Sequence, residues 1–80
     1  MSTQTHADDL RRLVLTAPEV AKLLGISERH LWALNAEARL PRSIRLGRAV
    51  RWHLPELQAW LDAGAPERSV WEAIRQKLRG

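Results

Sequence analysis

Six of the basic residues of this 80-residue chain fall between Ser27 and His53, and all six are arginine. The same window holds two acidic residues, Glu28 and Glu37, so it carries the whole formal charge of +4. A guanidinium group matches phosphate oxygens and guanine edges in a way that the point charge of lysine does not. The cluster therefore favours nucleic acid over a generic anion as the partner. Its members are Arg29, Arg39, Arg42, Arg45, Arg48 and Arg51.

Other chemistries find little support in the composition. The chain has no cysteine, which excludes disulfides, thiolate zinc sites and thiol nucleophiles and fits a reducing cytoplasm. His6 and His53 have no partner at metal-ligand spacing, so we expect no metal and no cofactor. Eighty residues leave no room for a deep catalytic cleft, and we expect no enzyme.

Two short helices joined by a tight turn are predicted ahead of the arginines. Thr16 can cap the first helix and form a capping box with Glu19, while Gly25 supplies the left-handed residue that ends it. Ser27 is then a fresh N-cap for the second helix. This pattern is typical of a helix-turn-helix, whose second helix enters the major groove of DNA.

The second helix has an unusual outward face. Ile26, Leu31 and Leu34 form its apolar side, which leaves Trp32 and Ala33 among the polar residues on the outer side. A helix that only covers a core would show water a more uniformly charged face. We therefore expect something to dock there.

A β-hairpin is predicted after Pro41. Residues 43–46 and 49–52 alternate between apolar and polar around a Gly47-Arg48 turn. We expect the apolar residues Ile44, Leu46, Val50 and Trp52 to face inward. Arg45 and Arg51 would then lie on the outer side, with Arg48 at the tip.

The fold class expected is mainly α with a small β-hairpin, a winged helix-turn-helix followed by a C-terminal helix. Residues 1–12 are expected to be a flexible leader without a signal peptide or membrane span, 13–64 the DNA-binding domain, and 65–80 an amphipathic helix. Within 13–64, a third helix opens at Pro55. The C-terminal helix carries an apolar stripe that packs either on its own domain or on a neighbouring copy; both alternatives stay open. The stripe consists of Val70, Trp71, Ile74 and Leu78.

Residues 15–61 resemble the excisionase and AlpA-type regulators, winged-helix relatives of the MerR group. The segments that carry the resemblance are LTAPEVAKLLGIS at 15–27, LPR at 40–42, RAVRW at 48–52 and ELQAWL at 56–61. Relatives usually have a small hydroxyl residue at the position of His30, a long polar or basic one at Ala33 and glycine at Ala38. Ala38 either extends the second helix or adopts a left-handed conformation that costs about 1 kcal/mol.

The resemblance implies a cytoplasmic, nucleoid-associated protein of a bacterium or phage that binds double-stranded DNA. It would act beside an integrase as an excisionase, binding as adjacent copies, or as an AlpA-like transcriptional regulator of a mobile element. The recognition helix would meet the major groove, and the arginine wing the backbone or minor groove. The expected DNA-binding residues are Ser27, Arg29, His30, Trp32, Ala33, Arg42, Arg45, Arg48 and Arg51.

Several alternatives remain beside these expectations. Trp32 either offers its indole N–H to a phosphate or sugar or is partly buried against the wing. The wing arginines could simply be the solvated charges of an edge strand. A protein-interaction adaptor whose basic wing binds an acidic partner is the function from another class.

Overall fold

The computed structural model of the chain describes residues 13–79; the expected leader at 1–12 lies outside them. The first half is a helix pair preceded by a two-residue strand. Strand β1 is Val14–Leu15, helix α1 is Ala17–Leu24 and helix α2 is Glu28–Ala36.

The second half holds the hairpin and two further helices. Strand β2 is Ile44–Leu46, strand β3 is Ala49–His53, helix α3 is Leu54–Asp62 and helix α4 is Arg68–Arg79. The strands form an antiparallel sheet in the order β1-β3-β2. The expected fold class, a winged helix-turn-helix plus a C-terminal helix, is confirmed.

Local capping explains where α1 and α2 begin and end. Thr16 and Glu19 form the expected capping box, and Gly25 ends α1 with a left-handed φ of 71°. The Ser27 side chain accepts a hydrogen bond from the backbone N–H of His30, which caps α2. The turn between the two helices is therefore set by residues 25–27.

Strand β1 was not expected from the sequence. Val14 pairs with His53 and Leu15 with Trp52, so β1 adds a third strand on the side of β3 opposite β2. A strand of two residues is too short to show an alternating pattern. Its effect is to place β3, the longest strand, at the centre of the sheet.

One hydrophobic core joins all the helices. Its largest fully buried side chains include Trp52 from β3 and Trp71 from α4, packed with Leu31 of α2 and Leu57 of α3. Trp60 is also buried. No helix in the described part of the chain is long and apolar enough to cross a membrane.

Candidate nucleic-acid interface

The N-terminal half of α2 presents its polar side to solvent. Arg29, His30 and Ala33 are exposed, and Leu31 on the opposite side is fully buried in the core. Ser27 is exposed as well, but its hydroxyl oxygen already accepts the capping hydrogen bond. The structure thus brings four of the expected recognition-helix residues onto one accessible surface.

Trp32 connects this surface to the wing. Its ring centroid lies 5.6 Å from that of Trp52, with the planes inclined by 60°. The indole N–H donates to Oε2 of Glu28, one turn earlier, at 3.3 Å. Trp32 is still 40% exposed, so it is partly packed on the wing and partly accessible.

The facing of the hairpin residues differs from the expectation. Leu46 is 54% exposed. It pairs with Ala49 across the Gly47-Arg48 turn, and Arg45 pairs with Val50. Directly paired residues lie on the same face of an antiparallel ladder, so Arg45 shares the inner face with Val50 and Trp52. The expectation that Ile44 and Leu46 face inward and Arg45 outward was wrong.

Arg51 lies on the other face of the hairpin. It pairs with Ile44, on the side of Leu46, and its Nη1 donates to the carbonyl of Val50 at 2.9 Å. The two strand arginines therefore project from opposite faces rather than from one. Arg48 is exposed in the turn, as expected.

The arginines differ in how they are engaged within residues 13–79. Arg29, Arg45 and Arg48 form no ion pair with another described residue. Arg42, by contrast, donates from Nε to Glu72 of α4 at 2.7 Å. The first three are thus the guanidinium groups most available to a polyanion.

Helix α4 supports the C-terminal end of α2. The backbone N–H of Arg68 donates to the Ala38 carbonyl at 2.9 Å, and its Nε donates to the Leu40 carbonyl at 2.8 Å. Nη2 of Arg68 reaches Oδ1 of Asn35 at 3.0 Å. No local sequence pattern marks this contact, because Arg68 and Asn35 lie 33 residues apart.

Ala38 adopts the left-handed alternative, with a φ of 57°, and α2 ends at Ala36. Its N–H donates to the carbonyl of Asn35, and that of Arg39 to the carbonyl of Leu34. These two bonds form the Schellman ending in which glycine is the usual left-handed residue. The strained residue fixes the direction of the loop that leads to the wing.

The C-terminal stripe packs in part on its own domain. Trp71 is buried, and its indole N–H donates to Glu56 of α3 at 2.9 Å, while Ile74 is half-buried. Val70 and Leu78 remain 50% and 70% exposed. Among the described residues, no group of three or more His, Cys, Asp or Glu side chains could hold a metal ion.

The fold and these surfaces define a winged helix-turn-helix DNA-binding protein. Residues 14–65 match the helix-turn-helix domain family, and the chain belongs to that family. The match supports the resemblance to excisionase and AlpA-type proteins, and the family is one of DNA-binding domains rather than of enzymes. No curated protein and no solved structure matches the chain.

Proposed function

We propose that this DNA-binding protein is an excisionase, an accessory factor that directs recombination of a prophage or integrative element. The observation that supports the DNA-binding part of the proposal is the contact of Trp32 with Trp52, which holds the exposed face of α2 beside the wing. A helix and a wing presented together can grip one duplex at two places. The family supports DNA binding, and the role in excision goes beyond it.

In the proposed complex, α2 enters the major groove. Ser27, Arg29, His30 and Ala33 lie along the bases, with Trp32 at the edge of the contact. Four further arginines contact the backbone or the minor groove beside it. They are Arg42, Arg45, Arg48 and Arg51.

Salt dependence tests this mode of binding. If about four to six arginines neutralise phosphates, the logarithm of the binding constant falls against the logarithm of salt concentration with a slope of about −4 to −5. Fluorescence anisotropy with a labelled duplex measures it. A flat salt response would contradict the proposal. It would also be contradicted if the protein did not bind duplex DNA at low salt and bound an acidic protein partner instead.

Adjacent copies are part of the proposal. Ala33 offers little reach into the groove, so a single copy would bind weakly, and neighbouring copies raise occupancy through effective concentration. The exposed residues Val70 and Leu78 are the candidates for self-association, because Trp71 is already buried within its own chain. An integrase bound next to the site is the other candidate partner.

Leu78→Glu tests this surface. We expect the variant to lose cooperative binding to DNA with several sites and to keep its affinity for one site. Gln76→Glu is the matched control, since Gln76 is an exposed residue of the same helix. Unchanged cooperativity in Leu78→Glu would count against an interface built on this residue.

Excision and transcriptional regulation differ in where the DNA sites lie. Purified protein would be used to select fragments from the genome that encodes it, and the selected sites would then be mapped by footprinting. Several tandem sites beside an integrase attachment site support the excisionase. A single operator over a promoter would favour the AlpA-like regulator instead.

A further inference from the structure

A small groove lies where the C-terminal end of α2, the start of the wing and the first turn of α4 meet. Its volume is about 270 Å³, and no carboxylate lines it. Three guanidinium groups around so small a cavity repel one another, and a concave surface of one charge sign concentrates counter-ions. The groove is therefore suited to an anion. It is lined by Asn35, Arg42, Ser43, Arg45 and Arg68.

Arg68 is held in place before any ligand arrives. Its Nε donates to the Leu40 carbonyl, and its Nη2 donates to Oδ1 of Asn35. Within residues 13–79 its Nη1 forms no hydrogen bond. A donor that is already fixed loses little conformational entropy on binding, and a charged donor forms the stronger hydrogen bonds to phosphate.

Arg42 and Arg45 supply the other charges. The Nε of Arg42 is paired with Glu72, but within residues 13–79 its two Nη atoms form no hydrogen bond. Arg45 is exposed and forms no ion pair with a described residue. Its pairing with Val50 places it on the inner face of the wing, which is the face toward the groove.

We propose that this groove binds one phosphate of the DNA backbone, with Arg68 of α4 as a contact outside the family-matched segment. The proposal rests on the proposed function, because a helix lying in the major groove brings the loop at its end close to the flanking strand. The Ser43 hydroxyl and the Asn35 amide nitrogen add neutral donors. The DNA interface thus extends to the C-terminal helix.

The test compares Arg68→Gln with Lys77→Gln on a short duplex of mixed sequence. Glutamine keeps an N–H donor for the Leu40 carbonyl but removes the charge. Lys77→Gln has the same net charge as Arg68→Gln, because each variant loses one positive charge. Lys77 lies on the same helix, about 13 Å further along its axis. We expect Arg68→Gln to bind about tenfold more weakly, the size of a lost charge-assisted hydrogen bond, and Lys77→Gln to bind as the unmodified protein does.

A second arm measures whether Arg68 and Arg45 hold the same phosphate. We expect the double variant Arg45→Gln/Arg68→Gln to lose less affinity than the product of the single losses, since each guanidinium holds a phosphate that the other positions. In the double variant Arg45→Gln/Lys77→Gln, the loss of affinity should equal the product of the two single losses. Multiplicative losses in both pairs would overturn the shared site.

The outcomes separate this proposal from the function beneath it. Unmodified protein that fails to bind duplex overturns both. Unmodified protein that binds, with Arg68→Gln and Lys77→Gln equally affected or equally unaffected, overturns only the groove. If Arg68→Gln lowers the melting temperature, Arg68→Lys is measured as well, because lysine keeps the positive charge. Recovered affinity in that variant supports the phosphate contact, and unrecovered affinity overturns it.

Discussion

The rings of Trp32 and Trp52 meet at a centroid distance of 5.6 Å and an angle of 60°, so an exposed residue of α2 rests on the fully buried residue of β3. The contact sets the spacing between the helix and the wing. Trp52 is itself fixed, because its indole N–H donates to the carbonyl of Pro41 at 3.1 Å. Two parts of the proposed DNA-binding surface are therefore held together through one residue of β3.

The first prediction concerns this pair. Trp32→Leu removes the aromatic contact but keeps an apolar side chain, and we expect it to lower the free energy of unfolding by about 0.5 to 1.5 kcal/mol beyond the lost buried area. Urea denaturation followed by circular dichroism measures the change. Glu28→Gln, which keeps an oxygen acceptor for the indole N–H, should leave stability within about 0.5 kcal/mol. An unchanged free energy of unfolding in Trp32→Leu would show that the contact between the two rings does not stabilise the fold.

The second prediction tests the facing of the wing residues. Leu46→Lys should change the melting temperature very little, because Leu46 is 54% exposed on the outer face. Val50→Lys should destabilise the protein by about 1 to 3 kcal/mol, because Val50 packs against the core beside Trp52. Thermal unfolding of the two variants decides the matter. Equal losses would mean that both residues face inward.

The third prediction uses the left-handed backbone of Ala38. Ala38→Gly should raise the free energy of unfolding by about 0.5 to 1 kcal/mol, since glycine adopts a φ of 57° without strain. Ala36→Gly is the matched control in the last turn of α2, where glycine should cost about 0.5 to 1 kcal/mol. Chemical denaturation of both variants should give changes of opposite sign. A loss of stability in Ala38→Gly would contradict the strain.

The fourth prediction concerns Arg48 at the tip of the wing. Arg48→Gln should weaken binding to duplexes of different sequence by similar factors and make the salt slope shallower by about 0.9, the effect of one phosphate contact. Anisotropy titrations over a salt series provide the measurement. Arg48→Lys keeps the charge and should keep the slope. If the glutamine variant matched the unmodified protein, the tip would be only a solvated turn.

Features set by neighbouring residues could be predicted from the sequence. The capping box of Thr16 and Glu19, the left-handed Gly25 and the cap at Ser27 are each decided within a few positions, and each is confirmed. The expectation that Trp52 faces inward is confirmed as well, since its side chain is fully buried. Local capping and amphipathic patterns were sufficient for the helix pair.

To predict which face of the hairpin each wing residue occupies, the register set by the turn is needed as well as the alternation of residue types. Leu46 and Ala49 flank a two-residue turn, which pairs them and places them on one face. Leu46 and Val50 therefore lie on opposite faces, even though both are apolar. The alternation of residue types was identified correctly, but the register imposed by the turn was left out.

The role of Arg68 could not be predicted from local patterns. Its partners Asn35 and Leu40 lie 33 and 28 residues earlier, and only the folded chain brings them together. In the sequence it is one charged residue on the polar side of an amphipathic helix. The ion pair between Arg42 and Glu72 is hidden for the same reason, because the two residues lie 30 positions apart.

The hydrogen bond from the side chain of Arg68 to that of Asn35 in α2 bears on how this protein could be recombined with its relatives. A chimera that received residues 14–65 from another family member would inherit a foreign α2 while keeping a C-terminal helix shaped for the old one. Its Trp71 would have to fit a cavity that evolved elsewhere. Exchanging binding specificity between relatives should therefore succeed only when the graft continues to the end of α4.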